Sequence, residues 1–203
     1  MKEFWDNRYS STIYIYGEDP NIYLTEKLDT VNTGNALFVA EGEGRNAVYA
    51  AELGWKVSAF DQSSQAKEKA LQLAKRKNVN ITYTVNSIES IDYETESFDL
   101  IAFIYAHFPA EKRRRYHRKV AGYLKKDGLL LLEGFAQSHV DNQAKNHTAG
   151  GPKDHHMLFD IDDLKTDFED FDFIEALEAE CYLAEGELHN GKANVVRVFA
   201  RKK

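Results

Sequence analysis

The stretch Ala36-Leu-Phe-Val-Ala-Glu41-Gly42-Glu-Gly44-Arg-Asn46 constrains this chain more than any other. It opens with a short apolar run of the kind buried as a strand. A carboxylate and two glycines follow at once, and then Ala47-Val-Tyr-Ala-Ala-Glu-Leu53, which has the character of a helix. A second apolar run, Val57-Ser-Ala-Phe60, ends in Asp61. Strand, glycine turn, helix, strand and acid, in that order, make the first βαβ unit of a nucleotide-binding sheet. The glycines let the backbone approach a ligand because no Cβ intervenes. Asp61 is placed to accept hydrogen bonds from both ribose hydroxyls.

At 203 residues the chain is expected to form one domain, with 1–35 as an N-terminal cap and 36–203 as the α/β core. Its 43% hydrophobic and 12% aromatic content is enough for a core and excludes a disordered chain. The net charge of -7 argues against a nucleic-acid partner. One cysteine, Cys181, excludes an internal disulfide and fits a reducing cytoplasm. Met1-Lys-Glu-Phe-Trp-Asp6 is not an apolar signal segment, and the apolar run 100–108 is too short to span a bilayer. A cytoplasmic monomer or homodimer with no membrane partner is therefore expected.

The aromatics of 1–35, among them Trp5, Tyr9 and Tyr16, either pack a cap on the sheet edge or form a lid over a ligand. Asp19-Pro20 starts a helix to about residue 29. A helix over 63–77 has Ser63 as its N-cap, and 81–85 and 97–103 read as strands. The helix opened by Pro109 carries Lys112, Arg113, Arg114, Arg115, Arg118 and Lys119. Either this is a nucleic-acid face, or it is a solvated face backed by the stripe Tyr116, Val120 and Leu124. Lys126-Asp-Gly128 turns into a strand over 129–133; 134–160 has no periodicity, which marks a functional or mobile loop. A helix over 160–168 precedes a sixth strand over 171–183, ambiguous at 175–181. A hairpin loop at 185–191 leads to a last strand over 193–200. So short a hairpin makes the seventh strand antiparallel to the sixth.

Gly42-x-Gly44-x-x-Ala47 also fits the relaxed dinucleotide pattern, so a NAD-dependent oxidoreductase stands as a rival. Glu41 is awkward beside a pyrophosphate, since like charges repel, and suits a ligand with an ammonium group. After the third strand, Ser87-Ile88-Glu89 can bracket an adenine ring, with Ile88 on its face and Ser87 on its edge.

These motifs, taken in order, resemble the bacterial class I methyltransferases of the tellurite-resistance and thiopurine methyltransferase-like group. Trp5-Asp-Asn-Arg8-Tyr9 is similar to the group's Trp-Asp-x-Arg-Tyr signature, and Tyr16-Gly17-x-x-Pro20-Asn21 follows as it does there. Glu41-Gly-Glu-Gly44-Arg-Asn46-Ala47 and Asp61-x-Ser63 resemble its glycine and ribose motifs. Phe98-Asp-Leu-Ile and Ala106-His107-Phe108-Pro109 resemble its fourth strand and exit. Gly150-Gly-Pro152 and Glu185-Gly-x-x-His189-x-Gly191 resemble its late motifs. The resemblance implies a Rossmann-like, seven-stranded, mostly parallel sheet with an antiparallel C-terminal hairpin, S-adenosyl-L-methionine as cofactor, and a small-molecule methyl acceptor with a thiol-like or chalcogen centre. It implies Trp5, Arg8 and Tyr9 near the methionine moiety, with Glu41, Gly42, Gly44 and Ile104 beneath it. It further implies Asp61 on the ribose with Gln62 and Ser63 beside it, and Ser87, Ile88 and Glu89 around adenine. Ser87 departs from the acid that often bonds the adenine amino group.

Methyl transfer is an in-line displacement in which positioning and exclusion of water do most of the catalysis. A base is needed only when the nucleophile carries a proton. Ligands of open α/β sheets bind beyond the carboxyl ends of the strands. That edge gathers Tyr105, His107 and Glu133, and a hairpin after a parallel sixth strand would add Glu185 and His189. His107 and His189 are thus the candidate bases or substrate contacts, beside the ordinary reading of each as a packing residue. No metal-ligand spacing is present, and Cys181 reads as a buried strand residue. A non-enzymatic S-adenosylmethionine-binding regulator is the remaining rival.

Overall fold

The computed structural model describes residues 2–203. An N-terminal helix α1 (Lys2–Tyr9) and α2 (Ile22–Leu28) precede the sheet. The alternating part runs β1 (Asn35–Val39), α3 (Arg45–Glu52), β2 (Lys56–Asp61), α4 (Ser64–Arg76), β3 (Thr82–Val85), β4 (Phe98–Ile104), α5 (Ala110–Ala121) and β5 (Leu124–Phe135). After α6 (Val140–Lys145) and α7 (Ile161–Asp167) come β6 (Phe171–Glu185) and β7 (His189–Lys202).

The strands form one sheet in the order β3-β2-β1-β4-β5-β7-β6. β1 to β5 pair in parallel, while β7 is antiparallel to both β5 and β6. β6 therefore runs with β1 to β5, and the β6–β7 turn falls at their carboxyl edge. This is the class I methyltransferase sheet. The central strands are covered on both faces, which is why Leu37, Phe38, Leu100 and Ile101 are wholly buried. One face packs Leu37, Ile101, Leu132 and Val198 beneath α5 and α7. The other packs Phe38, Leu100, Leu131 and Phe199 beneath α2, α3 and α4.

Three elements differ from the sequence reading. Lys126-Asp-Gly128 does not precede β5 but lies within it: the register with β4 jumps between Phe98 and Leu100, and Asp127 has a φ of +63°. A polar turn accommodated as a bulge does not end the strand. The ambiguous 175–181 is strand throughout, because Ala179 and Cys181 pack on Phe135 and Val195. The segment 134–160 is built of α6 and two 3₁₀ turns, and it grips the hairpin. Asn190 donates its backbone N–H to the Thr148 carbonyl (2.8 Å), and the Asn146 amide donates to the Asn190 carbonyl (2.8 Å).

The cations of α5 are largely paired within the molecule. Arg113 bonds Asp163 at 2.8 Å and Asp167 at 3.2 Å, and Arg118 bonds Glu169. Lys112 and Arg115 lie 3.3 Å and 3.6 Å from Glu89. Tyr116 and Val120 of the expected stripe are buried on the helix, whereas Leu124 is not part of it: Gly122 caps α5 after Ala121, and Leu124 opens β5.

Gly44 caps α3 with a φ of +93°, and an ideal Cβ there would stand 2.5 Å from the Ala70 Cβ of α4. Its lack of a side chain thus serves helix packing. Left-handed backbone and overpacking together should make Gly44→Ala cost about 2–4 kcal/mol. In urea denaturation, Ala70→Gly in the same chain should recover the packing part and leave the backbone part.

Candidate active site

Two strands end in left-handed backbone at the point where the strand order reverses. Ala40, after β1, has a φ of +50°, and Tyr105, after β4, has a φ of +53°. Non-glycine residues hold such angles at a cost of about 1–3 kcal/mol, and functional sites are where the cost is usually met. A ligand crevice belongs at this switch point.

On its β1–β2 side lies a turn built around two carboxylates. Glu41 Oε1 accepts the backbone N–H of Asn46 (3.0 Å) and Ala47 (2.8 Å), which caps α3. Asp61 Oδ2 accepts the Gly42 N–H (3.2 Å) and Oδ1 accepts the Ser63 N–H (2.9 Å). Gly42 has a φ of +65°, and the Tyr83 hydroxyl donates to its carbonyl at 2.6 Å. Burial raises the Glu41 carboxyl to about 8, against the pull of the two amides and Arg45. Burial likewise raises Asp61 to about 6. Carboxyls held out of water in this way favour a partner that brings hydroxyl donors or positive charge, and disfavour another anion.

Helix α1 lies over this turn. The Tyr9 hydroxyl would stand 2.8 Å from an ideal Cβ on Gly42, and Tyr9 stacks on Trp5 at 5.4 Å. Arg8 points the other way, donating to the Tyr16 hydroxyl at 2.9 Å. The latch is Asp6, which the sequence reading passed over: it accepts the Ser63 hydroxyl (2.6 Å) and the Ser64 N–H (3.0 Å) at the start of α4. Ser63 is buried and Gln62 half-buried beside Asp61. Segment 86–88 passes close by, since the Asn86 N–H donates to the Asp61 carbonyl at 2.9 Å. Ile88 is buried among Phe60, Val39 and Ile91, and the Ser87 hydroxyl is engaged by Ser90. Glu89 is the exception to the expected adenine site, because its carboxylate is held on α5 by Tyr116 and Lys112. Ile104 ends β4 opposite Glu133.

The β4–β5 side holds a polar network. Glu133 is 1% exposed. It accepts the Asn21 amide (2.6 Å), the Tyr105 hydroxyl (2.9 Å) and Arg197 Nε (2.6 Å). Glu185 accepts Arg45 (2.7 Å) and His189 Nδ1 (3.1 Å) on Oε2, and the Asn21 amide (3.2 Å) on Oε1. Burial opposes the Glu185 charge, but His189 and Arg45 outweigh it and hold the carboxyl at about 2. Burial lowers His189, so the pair is a carboxylate beside a neutral imidazole. Because Glu185 can only accept, Nδ1 carries the proton and Nε2 presents its lone pair. No protein group bonds that Nε2 among the described residues. Tyr16 and Tyr105 flank the ring, each at a centroid distance of 4.5 Å.

His107 is arranged differently. Its Nε2 accepts the Phe135 N–H (3.1 Å) and its Nδ1 donates to the Met157 carbonyl (2.8 Å). With both nitrogens on the backbone and burial lowering it to about 4, it fastens 134–160 to β5 and has no lone pair for a base. That corrects the expectation of a catalytic pair: only His189 keeps a free nitrogen. Asn21, Arg45 and Arg197 were missed as site residues. Arg197 had a signal, as the lone charge in Val195-Val-Arg-Val-Phe199.

Residues 36–128 match the family model described as a methyltransferase domain. A comparison with curated proteins finds no match. Among solved structures, one concerning the conversion of a disulfide bond into a thioacetal group during echinomycin biosynthesis has a TM-score of 0.81 at 17% identity, covering 100% of this chain and 92% of its own. TehB from Haemophilus influenzae has a TM-score of 0.72 at 16% identity, covering 100% and 67%. A SAM-dependent methyltransferase from Methanosarcina mazei has a TM-score of 0.71 at 18% identity, covering 91% and 98%. At such identities the likeness is one of fold.

The raised Glu41 carboxyl has a measurable consequence. It stays protonated to about pH 8 when folded but only to about 4.5 when unfolded. Between those values the folded chain holds the extra proton, so stability falls as pH rises. The buried histidines act in the opposite sense only up to their unfolded pKa of about 6.5. Stability in chemical denaturation should therefore decline from about pH 6.5 to 8, and Glu41→Gln, which keeps an acceptor for both amides, should abolish the decline. A flat wild-type profile would remove the assignment.

Proposed function

We propose that the chain moves a methyl group from S-adenosylmethionine to a small-molecule acceptor with a thiol-like or other chalcogen nucleophile, since residues 36–128 match a methyltransferase domain model and the fold is that of the class I methyltransferases. The observation that carries the reading is the pairing of two halves at one sheet edge. A turn with two under-solvated carboxyls, Glu41 and Asp61, is joined through the rings of Tyr9 and Tyr16 (6.4 Å apart, with Tyr16 4.5 Å from His189) to a carboxylate-held neutral imidazole, Glu185–His189.

The first half suits S-adenosylmethionine by the chemistry of its groups. Asp61 has lone pairs for ribose hydroxyls while its backbone bonds hold it in place. Glu41 and Asp61 gain from a ligand with ammonium and sulfonium charge. A pyrophosphate would meet the Asp61 carboxylate as a like charge and would keep Glu41 from ionising, which tells against the dinucleotide rival. Trp5 and Tyr9 of α1 close the turn from above and exclude water, and Ser87 and Ile88 border the adenine end. When bound, S-adenosylmethionine supplies a methyl carbon activated by its sulfonium and leaves as S-adenosylhomocysteine.

In the second half, Tyr16 and Tyr105 wall the place where a nucleophile meets His189 Nε2. For a thiol acceptor, Nε2 takes the S–H proton as sulfur bonds the methyl carbon, and Glu185 stabilises the imidazolium that results. Asn21 and Arg45 fix Glu185 so that the imidazole keeps its tautomer and aim. Burial that lowers His189 keeps it unprotonated, and so able to accept, at neutral pH.

Calorimetry with S-adenosylhomocysteine and, in parallel, NADH tests the donor. Binding of the first alone is expected, and Asp61→Ala should weaken it by about 1–3 kcal/mol. Binding of NADH alone would overturn the reading. His189→Gln should leave S-adenosylhomocysteine affinity in place and slow transfer to a thiol about 10²–10⁴-fold. Unimpaired transfer by that variant would remove His189 as the base.

A further inference from the structure

We propose that the cleft beside the Glu185–His189 pair seats an oxyanion of the methyl acceptor on the open guanidinium of Arg197, so that the acceptor class is an anionic small molecule. The inference rests on the methyltransferase reading for the word acceptor, and on Arg197 for the anion.

The cleft has a volume of about 520 Å³ and lies between segment 16–22, the end of β6 and the two floor residues Glu133 and Arg197. Tyr16 and Glu185 line it and also touch His189, so the cleft shares two walls with the Glu185–His189 pair. Arg197 is fixed on two sides. Its Nε donates to Glu133 Oε2 at 2.6 Å, and its guanidinium carbon sits 4.9 Å above the centre of the Tyr23 ring. Its two terminal nitrogens have no protein acceptor among the described residues. A planar fork clamped at Nε, with both terminal nitrogens unpaired on a residue that lines a cleft, matches a carboxylate or phosphate.

The carboxylates around it are engaged elsewhere. Glu133, although on the floor, is 1% exposed and spends its oxygens on Asn21, Tyr105 and Arg197. Glu185 is tied to Arg45, His189 and Asn21. Glu175 pairs with Lys27 at 2.8 Å, with Glu26 beyond it on exposed surface. Asp19 is exposed at the rim, where water and salt screen it. Cys181 is raised to about 11 by burial and stays a neutral thiol. The spare bonding capacity facing the cleft is thus cationic donor capacity. A cationic acceptor would have Arg197 as a neighbour and, inside the rim, no unpaired carboxylate among the described residues.

The test uses the full chain with S-adenosylmethionine and three thiols: 3-mercaptopropionate, 2-mercaptoethanol and cysteamine. The anionic thiol should exceed the neutral one about tenfold in kcat/KM, with the cationic one poorest. In Arg197→Lys, which keeps a cation for Glu133 but lacks the fork, and in Arg197→Gln, that ratio should fall toward one. A second arm titrates ¹⁵N-labelled protein with propionate, inorganic phosphate and methylammonium, following the Arg197 Nε–H signal assigned from its loss in Arg197→Lys. Propionate moving that signal further than phosphate would assign a carboxylate, and the reverse a phosphate. If neither anion moves it, or if cysteamine is the preferred thiol, the anion seat is overturned. If an anion moves it but no thiol is methylated, the seat stands and the thiol-acceptor reading falls.

Discussion

The site depends on one carboxylate shared among three parts of the chain. Glu185, at the end of β6, holds Arg45 from the first turn of α3, His189 across the hairpin, and Asn21 from the cap of α2. A buried carboxylate needs such partners, since an isolated charge out of water costs far more than its hydrogen bonds return. The same requirement explains why Pro20-Asn21, Arg45-Asn46 and Glu185-Gly-x-x-His189 occur together in one sequence. Asn21 adds a further link, since its backbone N–H donates to the Asn46 side chain at 2.9 Å. Removing any one partner leaves another polar group buried and unpaired.

The two halves of the site are electrically distinct, and each distinction suits its place. At the β1–β2 turn, burial pushes Glu41 and Asp61 up, so that neutralising or cationic ligands are favoured. At the end of β6, the His189 N–H and the Arg45 guanidinium hold Glu185 down and ionised. An ionised Glu185 orients His189 without protonating it, because the histidine's burial opposes its own charge. The edge thus holds two carboxylic environments, one that favours a cationic ligand and one that keeps an imidazole neutral and oriented.

Much of this was legible in the sequence, and the reasons for the rest are physical. The β1–α3–β2 unit and the C-terminal hairpin were readable because apolar runs and glycine turns are local signals. The placement of His189 at the carboxyl edge followed from the direction of β6. Which distant group each polar side chain meets was not readable, since periodicity gives a face and not a partner. Glu89 lay in the right motif, yet the cations of α5 claimed it. His107 lay at the right edge, yet the amide of Phe135 and the carbonyl of Met157 needed its nitrogens. Gly44 fitted a ligand-approach pattern, while its tightest neighbour is Ala70. Among these only Arg197 carried a local sign, a charge inside an apolar strand.

The first turn of α3 belongs to both halves. Its backbone N–H groups at Asn46 and Ala47 point to Glu41, under the donor turn. Its Arg45 side chain reaches the opposite way to Glu185, and is nearly buried in doing so. One helical turn is thus bonded both to the carboxylate beside Gly42 and to the carboxylate that orients His189.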